Sequence, residues 1–308
     1  MGVNTPATDY RVAVLGPGGV GGFLAALLAR GGSSVLVLAG DETARAIARS
    51  GLRLESARYG TFETTPRTAT GLEHPVDACL ITVKAMQLHE ALDRVPAGKL
   101  GHGLVIPFLN GLEHVELLRD VYPPDRVVPA TIRIETARVA PGVVRHTSPF
   151  AAVDIASTPG NRETVEEFAA RLRDTGVDVR LREDEATMLW EKFALLAPMA
   201  LLTTHERANA GVVRAKRRQD VLALIAEVAA VARADGVAID EAGVLRLFDA
   251  VPESMETSMQ RDQAAGRPLE LDALGGALLR RAARGRVEVP LTRRLVEDLQ
   301  ARTSAARR

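Results

Sequence analysis

The chain has 308 residues, of which 46% are hydrophobic and 25% charged, and its 39 lysines and arginines balance its 39 aspartates and glutamates. That composition excludes a disordered polyampholyte, and zero net charge gives no electrostatic pull toward nucleic acid. Four percent aromatics, with one Trp and three Tyr, argues against a stacking platform for single strands. Cys79 is the sole cysteine and lies in an apolar segment, so no internal disulfide can form and a reducing, cytoplasmic compartment is expected. The opening MGVNTPATDY lacks the apolar core of a secretory signal and reads as a disordered lead-in, and the closing Ala-Arg-Arg reads as a solvated tail. The apolar run from Phe193 to Leu202 is about half the length that a bilayer needs, and the run from Val221 to Val231 is broken by Glu227. No membrane span is expected.

In chain order, short β-branched runs predict strands from Arg11 to Leu15, Ser34 to Leu38, Asp77 to Val83, Gly103 to Phe108 and Arg126 to Ile132. Helix-length segments separate the earlier ones, which implies a parallel, doubly wound sheet. Strands from Val143 to His146, Ala151 to Ile155 and Val177 to Leu181 follow at closer spacing, around the turn signals Pro141-Gly142 and Pro159-Gly160. They are expected to extend the sheet in partly antiparallel fashion. After Asp184 the period is helical, with segments from Glu185 to Thr204, Arg217 to Ala234, Glu241 to Ala250, Pro268 to Arg284 and Leu291 to Arg302. Pro198 should kink the first of these. The predicted architecture is a doubly wound α/β N-terminal domain over residues 1–182 plus an all-α C-terminal domain over residues 183–308, with a cleft expected at their junction.

The clearest motif is Gly16-Pro17-Gly18-Gly19-Val20-Gly21, a G-x-G-x-x-G directly after an apolar strand and before a helical pattern. The first glycine allows the tight turn, the second lets a pyrophosphate approach the backbone, and the third permits close helix-to-strand packing. Dinucleotide binding follows from this context. Asp41 lies about 20 residues beyond the loop, where an acidic side chain favours NAD(H) through the ribose hydroxyl, while Arg45 and Arg49 on the next helix suit a 2′-phosphate or simply a solvated face.

Lys84 and Asn110 each follow a predicted parallel strand, at the carboxyl edge where open α/β sheets bind ligands. Lys192 is a polar residue on a strongly apolar helix at the domain junction, either a snorkelling surface lysine or a proton donor favoured by desolvation. Ser258 and Asp262 stand one helical turn apart, and Glu270 enters the next predicted helix behind Pro268, where an acidic residue also compensates the helix dipole. The six histidines show no metal-ligand spacing, so no metal is expected.

Together the fragments GPGGVGG from Gly16, TVKAMQ around Lys84, LNGLEH around Asn110, LWEKF around Lys192, SMQRDQAAGRPLELDALGG from Ser258 and VEVPLTRRL from Val287 resemble the ketopantoate reductase (2-dehydropantoate 2-reductase) family. The resemblance runs from about Arg11 to Leu299 and implies an α/β Rossmann-type N-terminal domain plus an all-α C-terminal domain that completes the substrate cleft, and NADP(H)-dependent reduction of a 2-oxo acid, in the first place 2-dehydropantoate, to a 2-hydroxy acid in pantothenate biosynthesis. It implies Lys192 as the catalytic lysine, which also contacts substrate; Lys84, Asn110, Thr136 and Glu270 as cofactor contacts; and Asn110, Asn209 and Ser258 as substrate contacts. The sequence departs from the family in three places. Leu196 and Ala200 stand where the family carries asparagines after the lysine, and Gly40, followed by Asp41, replaces the arginine for the 2′-phosphate. Those departures keep open NAD(H) as cofactor, a paralogous reductase of a more apolar carbonyl compound, and a non-catalytic NADP-binding sensor. The expected partner is a small molecule, with neither nucleic acid nor membrane, and the amphipathic helices suit either a homodimer or internal packing.

Overall fold

The computed structural model describes residues 10–305. The basic tail at 306–308 and the lead-in through residue 9 lie outside the described residues. Tyr10, read as the end of that lead-in, is instead buried, with the Arg171 guanidinium 4.2 Å over its ring.

The chain runs β1 (Arg11–Leu15), α1 (Gly19–Arg30), β2 (Ser34–Leu38), α2 (Asp41–Ser50), β3 (Leu52–Ser56), β4 (Phe62–Thr64), β5 (Arg67–Ala69) and β6 (Ala78–Ile81). It continues α3 (Leu88–Leu92), α4 (Ala97–Leu100), β7 (Leu104–Pro107), α5 (His114–Val121), β8 (Ala130–Arg133), β9 (Thr136–Ala140), β10 (Val143–His146), β11 (Ala152–Ala156), α6 (Arg162–Asp174) and β12 (Asp178–Arg182). The main sheet is parallel with order β5-β2-β1-β6-β7, the doubly wound arrangement that the strand–helix alternation implies. Every residue of β6 and β7 is buried, as strands covered on both faces must be, which is why they read as unbroken apolar runs. Helix α1 is buried from Gly21 to Leu28 and seats Phe23 in the same core.

The later strands do not simply extend this sheet. β10 pairs in parallel with β3, inside a separate four-stranded sheet of order β4-β3-β10-β9. The remaining strands form a three-stranded sheet, β12-β11-β8, whose lead-in Val127 makes one parallel bridge to Val105 of β7. The outer strands of the four-stranded sheet carry weak strand signals: β4, paired with β3, is three residues long, and β9, paired with β10, is largely exposed.

The helical part comprises α7 (Glu185–Glu206), α8 (Ala210–Lys216), α9 (Arg218–Ala234), α10 (Glu241–Ala250), α11 (Ser258–Ala264), α12 (Ala277–Gly285) and α13 (Pro290–Ala305). α7 runs through Pro198, held by the buried residues Ala194, Ala197, Met199, Leu201 and Leu202 on either side. The single helix expected from Pro268 to Arg284 is instead a π-helical turn, Asp272–Gly276, leading into α12, with Arg286 in the left-handed region behind it. Glu227 of α9 caps α13, accepting from the Leu291 amide at 2.8 Å, the Thr292 amide at 2.9 Å and the Thr292 hydroxyl at 2.6 Å. Packing divides the chain into two units, residues up to Leu109 with His114–Glu185, and Asn110–Glu113 with residues from Ala186 onward. No described helix is long and apolar enough to cross a membrane.

Candidate active site

In the first unit, β1 ends at Leu15 and the chain turns at Gly16, whose amide donates to Leu38 O at 3.0 Å. Gly16 has φ +89, and a Cβ there would lie 2.5 Å from Val83 Cγ1. At Gly21 a Cβ would collide with Gly16 O and Thr82 Oγ1, so helix α1 can approach the strand ends only without a side chain. Gly18 is different, because a Cβ at that position would meet nothing within 4 Å. That open space faces the first turn of α1, where the amides of Gly19, Val20 and Gly21 precede the helix's own acceptors and no acidic side chain neutralises the dipole. A pyrophosphate fits this chemistry. Pro17 is buried and Val20 half-buried beside the loop.

The same unit brings Thr82 and the predicted Thr136 to the loop, and it also carries Lys84 and Asp41. Thr82 Oγ1 donates to Leu15 O and Gly16 O at 2.8 Å each, tying the end of β6 to the turn. Lys84, two residues on, is half-buried at the start of the short 3-10 turn Ala85–Gln87. Thr136 opens β9 with its Oγ1 2.9 Å from where a Gly19 Cβ would be. Gly40 precedes α2 with φ −67 and ψ 158, and Asp41 is the exposed first residue of that helix, its carbonyl accepting from Arg45 Nε at 3.1 Å. Thr82 was not singled out from sequence, although its position directly after a buried strand marks the ligand edge of the sheet.

In the second unit, Asn110 Nδ2 donates to Glu270 Oε2 at 3.3 Å, joining segments 160 residues apart. Glu270 is 8% exposed and its carbonyl accepts from the Leu274 amide at 3.2 Å. Lys192 is half-buried on α7 between the buried Trp190 and Phe193, whose rings meet edge to face at 5.5 Å. Leu196 is partly buried and Ala200 fully buried in the helical core, so the positions one and two turns after the lysine are apolar in structure as in sequence. Ser258 is exposed at the first position of α11. The preceding Thr257 fixes it: Thr257 Oγ1 accepts from the Gln260 amide at 3.3 Å and meets Thr203 Oγ1 of α7 at 2.9 Å. Thr257 caps α11 and was not singled out from sequence, although it is visible there as a threonine before a helical run. Asn209 caps α8, its Oδ1 accepting from the Val212 amide at 3.1 Å, which leaves its NH2 as the part able to donate to a ligand. Asp262 is buried and accepts from Arg267 Nε at 2.9 Å, an arrangement that closes the turn after α11.

Cys79 is buried in β6, and that burial pushes its thiol up to about 12, so it is inert at neutral pH. His146 is buried between Ser56 Oγ at 2.8 Å and Ser148 Oγ at 3.0 Å, and burial lowers its proton affinity. Among the described residues no group of His, Cys, Asp and Glu is arranged to hold a metal ion.

Residues 12–160 match the family described as ketopantoate reductase PanE/ApbA, and residues 185–303 match the C-terminal region of that family. The chain belongs to the ketopantoate reductase family. It is accordingly an NAD(P)-dependent oxidoreductase acting on CH–OH groups. A 2-dehydropantoate 2-reductase of Mycobacterium tuberculosis is 34% identical over 301 residues, covering 94% of this chain and 97% of the relative. The structure of a 2-dehydropantoate 2-reductase from Geobacter metallireducens superposes with TM-score 0.85 at 27% identity, covering 95% of this chain and all of that one. A D-mandelate dehydrogenase solved with NADH and anilino(oxo)acetate shares the fold at TM-score 0.89 and 21% identity, covering 96% and 99% of the two chains.

Proposed function

We propose that this chain reduces 2-dehydropantoate to pantoate with NADPH. The observation that carries the reading is the Asn110–Glu270 hydrogen bond, because it joins, across 160 residues of sequence, two residues that the family resemblance assigns to the cofactor, Asn110 to the substrate as well. Bound NADPH would supply the hydride. Gly16 to Gly21 would hold its pyrophosphate on the first turn of α1, with Lys84 and Thr136 at the loop. Lys192 would donate the proton to the substrate's carbonyl oxygen, and its ammonium would stabilise a negative charge that develops only in the transition state. Asn110, Ser258 and the Asn209 NH2 would donate to the substrate's carboxylate and hydroxyl, and Glu270 would orient Asn110 by accepting its amide proton.

The test is the initial rate of NADPH and NADH oxidation with 2-dehydropantoate, beside Lys192→Met. Lysine-dependent turnover with NADPH is the expected result. Tight cofactor binding with no turnover of this substrate rejects it. A second reading, reduction of a more apolar 2-oxo acid, is favoured by the partly buried Leu196 and buried Ala200 one and two turns after Lys192 on α7, and higher kcat/KM with bulkier apolar 2-oxo acids would select it. No turnover of any carbonyl by a cofactor-loaded chain would leave the sensor reading.

A further inference from the structure

Within the helical unit, the loop Asn110–Glu113 and the chain around the π-helical turn Asp272–Gly276 are fastened at three points. Asn110 donates to Glu270 at 3.3 Å, long for an N–H···O bond and therefore weak by itself. Gly111 has φ +98 and backs directly onto the turn, where a Cβ would sit 2.6 Å from the Ala273 carbonyl oxygen. The third point is Arg280 of α12, one guanidinium shared by two carboxylates. Its Nε donates to the Glu113 oxygens at 3.0 and 3.2 Å and its Nη2 to Glu113 Oε2 at 2.6 Å. Toward the turn, Nη1 donates to Asp272 Oδ1 at 2.7 Å, while Nη2 reaches Asp272 Oδ2 at 3.1 Å and the Asp272 carbonyl at 3.3 Å.

We propose that Arg280 is a positioning residue for the Asn110–Glu270 pair: by bridging Glu113 to Asp272 it holds the loop that carries Asn110 against the turn that follows Glu270. The proposal rests on the reading that Asn110 and Glu270 serve the bound cofactor and substrate. Arg280 is 45% exposed and Glu113 31%, so a simple ion pair there would contribute little to stability. Geometry sets this one apart. A guanidinium is a rigid planar fork with five donors, so engaging two carboxylates at once fixes the separation between the segments that carry them. Arg284 approaches Glu113 only to 3.9 Å, and adds positive charge rather than a second fork. A lysine at 280 would keep the charge and lose the fork.

Hydrogen exchange of the full-length protein tests the bridge without reference to turnover. In Arg280→Lys and Arg280→Gln the backbone over 110–113 should exchange about 5-fold faster or more, while α9 and α13 keep wild-type protection. In the rate assay, Arg280→Gln should lower kcat/KM roughly 5- to 20-fold in the wild-type background but less than about 2-fold once Asn110→Ala has removed the group that it positions. Glu113→Gln weakens the same bridge from the other side and replaces the arginine variants if they fold poorly. Unchanged exchange over 110–113, or independent effects of Arg280→Gln and Asn110→Ala, overturns the proposal. Absence of 2-oxo acid turnover in the wild type would instead overturn the functional reading, with exchange still deciding the bridge.

Discussion

Gly40→Arg offers the sharpest test of the cofactor reading. Gly40 has φ −67 and ψ 158, a conformation open to any residue, and a Cβ there meets nothing within 4 Å, so the substitution should fold without strain. An arginine at this point, between β2 and α2, is positioned to offer its fork to a 2′-phosphate. Hydrogen bonds to a charged group contribute about 1.5–3 kcal/mol. Asp41 and Glu42, both exposed, compete for the same guanidinium, and an exposed pair is worth up to about 1 kcal/mol. The net gain is then about 1–2 kcal/mol, which raises the ratio of NADPH to NADH affinity roughly 5- to 30-fold. Titrating both cofactors against wild type and variant at low salt reads the ratio directly, and the gain should shrink as salt screens it. Asp41→Arg should move the ratio in the same direction by removing the repulsion. A Gly40→Arg ratio within about 2-fold of wild type, in a folded variant that still binds NADH, would mean that the 2′-position of the ribose lies elsewhere.

Lys192→Met should lower turnover about 100- to 10,000-fold with cofactor affinity nearly intact, as removal of a proton donor does; normal turnover would remove the lysine from the mechanism. Glu227→Ala strips the cap from α13 and leaves the Leu291 and Thr292 amides without their acceptor, a loss of about 1–3 kcal/mol visible as a lower urea midpoint; an unchanged midpoint would mean that water satisfies those amides equally well. Burial depresses the folded-state proton affinity of His146, so the unfolded chain takes up the proton first as pH falls below about 6.5. Stability associated with neutral His146 is therefore complete above that pH and declines below it, toward the folded-state value. His146→Gln should reduce the difference in urea midpoint between pH 7.5 and 5.5, and an equal difference in both proteins would assign the decline to other groups.

Those parts of the fold that local chemistry dictates were legible in the chain. β1 and β2 coincide with their apolar runs, β10 with the strand expected after the Pro141-Gly142 turn, and α10 with its periodic segment. β9 was not, since TARVA is mostly exposed and owes its strand to pairing with β10. β3 carries the alternation LRLES with Leu52 and Leu54 inward, a period-two signal that the outward Arg53 and Glu55 keep from reading as an apolar run. In the candidate site, the glycine loop is a sequential motif and can be read directly. The Asn110–Glu270 and Arg280–Glu113 contacts join residues 160 and 167 apart, and nothing local in either segment encodes the other. The π-helical turn is equally silent, for its extra residue shifts the register of Asp272–Gly276 without changing the helical appearance of the sequence.

Helix α7 has to satisfy two demands that compete at Leu196 and Ala200. It is a structural element of the helical core, with Phe193, Ala194, Ala197 and Leu201 buried, and it carries Lys192. An asparagine at position 200, where alanine is 1% exposed, would need a hydrogen-bond partner in both the free and the bound states, and an unsatisfied amide costs about 1–3 kcal/mol. Leucine at 196 gains instead from apolar burial, up to about 1.5–3 kcal/mol for a fully covered side chain. The chain thus favours the core at positions where the family resemblance implies asparagines, and under the proposed function polar recognition would fall to Asn110, Ser258 and the Asn209 NH2. These groups suit the carboxylate and carbonyl common to all 2-oxo acids. Discrimination among the remaining parts of such substrates would then rest on apolar fit, where one methylene changes kcat/KM by roughly 10- to 200-fold, whereas loss of a dedicated hydrogen bond can change it by about 10,000-fold or more. A site of this composition should therefore accept a broader set of 2-oxo acids than one lined by asparagines.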